Sequence, residues 1–72
     1  MKHKNMLYNI SVSDKELETI ILGLKEREGR MFKDSEAYMY QGNRAAQMDC
    51  IREWHAAEHL RERLEKMQTK TN

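Results

Sequence analysis

The residues best suited to chemistry lie in one stretch, His55-Ala56-Ala57-Glu58-His59. The spacing is H-x-x-E-H. On a helix it sets two imidazoles one turn apart on one face, each able to ligate zinc, with a carboxylate beside them. Glu62 lies one turn further on and is the candidate third ligand. Zinc hydrolysis also needs a substrate cleft, and a helical chain of 72 residues offers none. The expectation is a charged, half-exposed face that carries two histidines, with no metal and no cofactor. His55, His59 and Glu62 remain the candidates for a metal held between protomers, where a two-fold axis would gather four histidines.

Cys50 is the only cysteine, which excludes an intrachain disulfide and a cysteine-based zinc cage. A catalytic thiol needs a nearby histidine and a lowered pKa. His55, five residues on, lies about 140° around a helix from Cys50 and faces elsewhere. Cys50 therefore reads as a small hydrophobe in an apolar stripe. No glycine-rich phosphate loop is present, and Asp49/Glu53 and Glu58/Glu62 are surface spacings. No enzyme is expected. Lys25, Arg27, Arg30 and Lys33 form a basic run that Glu26 and Glu28 interrupt. Thirteen basic against twelve acidic residues leave a net charge of +1, so nucleic acid is not an expected partner.

The remaining chemistry is that of binding. Trp54 is the only tryptophan, and Trp, Tyr and Arg are enriched in binding hot spots. Phe32, Met39, Tyr40, Arg44, Arg52 and Trp54 form the candidate partner-binding set. Trp54 has a second reading as a core anchor opposite Met31. Tyr38 and Tyr40 cannot both face inward at i,i+2 on a helix, and Tyr40 is the one expected to be exposed.

Helices must position these groups. There is no proline, and strong helix formers dominate from residue 14 onward. Ser13-Asp14-Lys15-Glu16 is a capping box, with Val12 and Leu17 placed as a hydrophobic staple. The first helix is expected over 14–41. Its heptad seam is Leu17, Leu24, Met31 and Tyr38, with Ile20 and Ile21 beside it; the intermediate positions turn polar at Arg27, Glu28, Asp34 and Ser35. Gly42 suits the left-handed residue past a helix end and Asn43 the next N-cap, which sets the turn at 42–43. The second helix is expected over 44–68, with the stripe Ala46, Cys50, Ile51, Trp54, Ala57, Leu60, Leu64 and Met67. Residues 69–72 are expected to fray. A rival reading ends the first helix at Gly29 and runs one long helix through Gly42. Residues 1–12 alternate with a period of two at Met6, Tyr8, Ile10 and Val12, which reads as a short strand or extended arm.

The expected fold is all-α: an antiparallel helical hairpin with a short N-terminal arm. Helices of this length span about 40 Å at 1.5 Å per residue, and each residue has one neighbouring wall. So thin a core rarely offsets roughly 1–2 kcal/mol of backbone entropy per ordered residue. The usual remedy in a small scaffold without staples is self-association into a homo-oligomeric bundle. Leu17, Ile21, Leu24, Met31, Tyr38, Ile51, Trp54 and Leu64 are the expected self-association core.

No uncharged apolar run approaches the roughly 20 residues of a bilayer span, so no membrane partner is expected. The opening Met-Lys-His-Lys-Asn-Met has charge with no apolar stretch behind it, so no secretory signal is expected either. The expected location is cytoplasmic.

The stretch Tyr-Asn-Ile-Ser-Val-Ser-Asp-Lys-Glu-Leu-Glu at 8–18, followed by Gln-Gly-Asn at 41–43, resembles small phage-encoded helical accessory and inhibitor proteins. The resemblance is one of style across most of the chain, not to a defined family, and transfers no catalytic residue. It implies an inhibitor or adaptor that binds and blocks a host protein, anti-phage defence proteins included. Two other classes stay open: an oligomer that sequesters a nucleotide signal or metal at inter-protomer sites, and a purely structural assembly protein.

Overall fold

A computed structural model describes residues 7–70 of the chain. Two helices, α1 (Asp14–Gln41) and α2 (Arg44–Lys70), pack side by side as a hairpin. Among the described residues there is no strand. Residues 1–6 of the expected arm and 71–72 of the expected tail lie outside the described residues.

The start of α1 follows from its capping box. The Ser13 hydroxyl accepts from the Glu16 amide at 3.2 Å, and the Ser13 amide donates to the Glu16 carboxylate at 2.8 Å. Asp14 and Glu16 stand in the first turn, where carboxylates favour the positive end of the helix dipole. Residues 7–12, the described part of the expected strand or extended arm, form neither helix nor strand. A strand needs a second strand to satisfy its backbone, and the described residues supply none.

The turn is set by two residues with different tasks. Gly42 adopts φ 74° and ψ 15°, the left-handed conformation that glycine takes without steric penalty. Its amide donates to the Met39 carbonyl and the Asn43 amide to the Tyr38 carbonyl, the paired bonds of a Schellman motif. The Asn43 side-chain oxygen then accepts from the Ala46 amide at 3.2 Å and caps α2. One glycine thus closes α1 and the next residue opens α2. Gly29 lies inside α1, so the rival segmentation does not hold. At its far end α2 runs through Lys70, past the expected end at 68. Gln68, Thr69 and Lys70 contain no breaker, so the helix propagates through them.

The seam between the helices differs from the sequence reading at defined positions. Leu17 and Ile21 are buried on α1, Ala57 is buried on α2, and Leu24, Met31, Tyr38, Ile51, Trp54 and Leu64 are half-buried. Leu60 and Met67, placed in the α2 stripe by the sequence, stay exposed. Their neighbours Arg61 and Gln68 take the half-buried places instead. On α1 the corresponding places past Ile21 are Glu28 and Ser35, seven and fourteen residues on. The two seams therefore meet through charged and polar residues in their middle. Buried Ser35 satisfies its hydroxyl by donating to the Phe32 carbonyl at 2.7 Å.

The result is a single layer of helix. The molecule measures 46 × 32 × 15 Å, and its radius of gyration is 15.1 Å, against about 11 Å for a compact domain of this length. Among the described residues, no helix is long and apolar enough to cross a membrane.

Candidate interaction site

Three ring side chains, Phe32, Trp54 and His55, gather near the middle of the hairpin. Phe32 on α1 meets Trp54 on α2 edge-on, with ring centroids 5.3 Å apart and planes at 65°. This is the favoured geometry for two ring quadrupoles. Trp54 in turn stacks on His55, at 5.2 Å and 12°. The His55 Nδ1 lies 3.4 Å from the Glu58 carboxylate. The ring partner of Trp54 is thus Phe32, where the sequence had set Met31 opposite it.

The six residues proposed for partner binding do not form one patch. Phe32 and Trp54 touch, and Met39 lies two turns beyond Phe32 on the same side of α1. Tyr40 is 83% exposed at the end of α1, while Tyr38 is half-buried. Arg44 is exposed at the first residue of α2. Arg52 is two residues from Trp54 and so lies about 160° around the helix. It is exposed and bonded to Asp49 at 2.8 Å. The turn end of the hairpin therefore carries Met39, Tyr40 and Arg44, Phe32 and Trp54 meet nearer its middle, and Arg52 lies on another face of α2 from Trp54.

The residues of the H-x-x-E-H pattern are not assembled into a site. His55 is engaged by the Trp54 ring and faces Glu58. His59 and Glu62 are exposed. Among the described residues, no three of His, Cys, Asp and Glu are grouped to hold a metal ion. Cys50 is half-buried. Burial pushes its thiol pKa up, and the charges of Asp34 and Asp49 push it the same way. That is the opposite of what a nucleophilic thiol requires.

A second feature lies at the open end. Ile10, Ser11 and Val12 run beside the first turns of α1 and the last turns of α2. With Asp14, Leu17, Ile20, Leu60, Leu64 and Met67 they line a recess of about 420 Å³. The walls are mostly apolar, with Ser11 and Asp14 as the polar members. Val12 and Leu17, the staple residues, both belong to it.

The sequence reading missed the charged crossing between the helices. Arg61 donates to both carboxylate oxygens of Glu28, from Nε at 2.5 Å and from Nη2 at 3.1 Å. It also donates to Glu65 at 2.8 Å. Lys25 reaches Glu65 at 3.8 Å, and Arg27 reaches Glu53 at 3.4 Å on the other flank. The hydrogen bonds to Glu28 are the main reason that Arg61 holds its proton even more firmly than an ordinary guanidinium. The signal was present: Glu28 follows Ile21 by one heptad, and Arg61 follows Trp54 by one heptad.

Compared with known proteins, this chain matches no protein-family model, no curated protein and no solved structure.

Proposed function

We propose that this chain is a small protein-interaction module: a phage-type inhibitor or adaptor that assembles with itself and binds and blocks a host protein in the host cytoplasm. One observation carries the reading. Among the described residues only Leu17, Ile21 and Ala57 are buried apolar residues, whereas Leu22, Phe32, Met39, Tyr40, Met48, Leu60 and Met67 stay exposed on the helices. Surface apolar residues are common singly. Here seven large apolar side chains on the helices face solvent while only two, Leu17 and Ile21, are fully buried, and a single layer has no second wall to cover the rest. A partner supplies that wall.

The target contact runs from the middle of the hairpin to its turn end. Phe32, Met39, Tyr40, Arg44 and Trp54 combine aromatic area with positive charge, the composition of a binding hot spot. The Schellman turn and the Asn43 cap hold their backbone rigid, which limits the entropy lost on docking.

The test is affinity capture from host lysate by the full chain and by a Phe32→Ala/Met39→Ala/Tyr40→Ala variant. One defined host protein, captured by the wild type and lost by the variant, is the expected result. A self-assembled chain that captures no protein reproducibly would favour a structural assembly role and overturn the inhibitor reading. Capture unaffected by the three substitutions would remove the turn end as the contact surface.

A further inference from the structure

We infer that the turn at 42–43 carries a phase break in the helix seam, which bars two copies of this chain from exchanging helices, so that copies associate only as closed hairpins. The inference concerns how a self-assembly forms. It is independent of the face that assembly uses and of any target.

Local chemistry alone does not bar exchange. Only Gly42 and Asn43 separate α1 from α2, and neither forbids a helix as proline does. No β-branched residue flanks them: Met39-Tyr40-Gln41 stands on one side and Arg44-Ala45-Ala46-Gln47 on the other. Were the turn to straighten, one helix would run from residue 14 to residue 70. Two such chains, side by side and antiparallel, would set each α1 against the other chain's α2. Such exchange of an identical element is a low-cost route to dimers, because the contacts of the closed form are remade between chains.

The seam forbids it. On α1 a row of buried and half-buried residues runs from Leu17 to Tyr38 in alternating steps of four and three, through Ile21, Leu24, Glu28, Met31 and Ser35. On α2 such a row runs from Gln47 to Gln68 in alternating steps of three and four. Each is a regular heptad row. Between them the rhythm breaks. Gln47 follows Tyr38 by nine residues, where an unbroken row places its members four, seven and eleven residues on. At 3.5 residues per turn that two-residue shortfall rotates the α2 row about 150° from the α1 row, to the other side of a continuous helix. The unbroken row would instead turn Asp49, Arg52, Ala56, His59, Arg63 and Lys66 toward the second chain. All six are exposed in the hairpin, and five bear charged or polar side chains. A second copy that covers α1 of an opened chain therefore leaves the α2 row of that chain on the far side. Only a third copy could cover it, and the contact would then continue from chain to chain without closing between two. The hairpin removes the mismatch, because each helix turns about its own axis before the two rows meet. Gly42, at φ 74°, supplies the break in the helix that this requires.

The test reads mass in solution and the distance between two spin labels, carried by Thr19→Cys and Arg63→Cys with Cys50→Ser in every chain. Both labelled positions are exposed. Labelled chains are diluted into an excess of unlabelled chain, so the distance lies within one chain. In one straight helix the two positions stand about 66 Å apart at 1.5 Å per residue. In the hairpin, whose axes pack about 8–10 Å apart, they stand at less than half of that. The chain with its native turn is expected to give the short distance at every concentration, also after heating and cooling at high concentration. Gly42→Ala/Asn43→Ala, which removes the turn at native length, is expected never to form a two-chain species with the long distance. The same variant with two alanines inserted after residue 43 restores the eleven-residue step from Tyr38 to Gln47. It is expected to give the long distance at the mass of two chains. A two-chain species with the long distance, formed by the native turn or by the native-length variant, overturns the inference. An inserted variant that does not form that species overturns it too, since the phase of the two rows would then not decide the outcome.

Discussion

Glu28 and Arg61, thirty-three residues apart in sequence, meet across the helix seam through two hydrogen bonds in a paired, fork-to-carboxylate geometry. Their side chains are only 13% and 19% exposed. A charge pair here fixes the register of the hairpin. Sliding one helix by a turn would leave both charges facing apolar neighbours. Glu28→Ala is therefore expected to lower Tm by several degrees, because it strands the Arg61 guanidinium beside Glu65 alone. Glu28→Leu/Arg61→Leu is expected to recover that loss or exceed it, since packed apolar residues often replace a covered ion pair without penalty. Thermal unfolding by circular dichroism of the three chains decides the matter. A double variant less stable than Glu28→Ala would show that the pair contributes stability and not register.

The two glycines of interest respond in opposite directions. Gly29 is helical, and a Cβ built there meets nothing within 4 Å. Gly29→Ala is expected to stabilise the chain by about 0.5–1 kcal/mol. Gly42 also has open space around a built Cβ, but its φ is +74°. Gly42→Ala is expected to destabilise by about 1–2 kcal/mol through backbone strain alone. Urea melts report both. A destabilising Gly29→Ala would revive the turn at residue 29.

Removing the capping hydroxyl tests the start of α1. Ser13→Ala breaks the bond to the Glu16 amide and is expected to destabilise by about 1 kcal/mol. Ser13→Asp restores an acceptor at the positive end of the helix and is expected to recover most of that loss. Equal stability of the alanine and aspartate variants would mean that the cap contributes nothing.

Cys50 supplies a chemical readout of the seam. Its folded pKa is raised, so the folded chain holds the thiol proton more tightly than the unfolded chain does. Stability linked to this group is fully present below the unfolded thiol pKa, about 8.5. It is lost as pH rises through the folded value. Cys50 is expected to react with a disulfide reagent more slowly in the native chain than in urea at the same pH. Equal rates would contradict a half-buried thiol under the influence of Asp34 and Asp49.

Much of this hairpin was legible because its ends are written in local chemistry. Ser13 with Glu16, and Gly42 with Asn43, satisfy backbone groups within four residues, so sequence alone locates them. The seam was harder. Leu60 and Met67 look like core residues by hydropathy, while Arg61 does not. The choice between the two rows depends on what α1 offers opposite, and Glu28 decides in favour of Arg61. That pairing spans thirty-three residues, and its only trace in the sequence is the heptad place that each residue holds on its own helix. The same holds for Phe32 and Trp54: each looks like a candidate surface aromatic, and only the packing of α1 on α2 brings their rings together. The alternation at the N-terminal arm has a related limit, because it describes a face and not the partner that must cover it. The two histidines at 55 and 59 kept their ligand spacing, yet Trp54 and Glu58 occupy His55 in the folded chain.

The central claim is that one hairpin is half of a core, completed by a partner through its exposed apolar surface. Sedimentation equilibrium of the untagged wild-type chain across a wide concentration range tests this most directly. The account predicts the mass of a defined assembly of two chains at micromolar concentration, with dissociation accompanied by loss of helix on dilution. A stable, fully helical single chain at every concentration would contradict it.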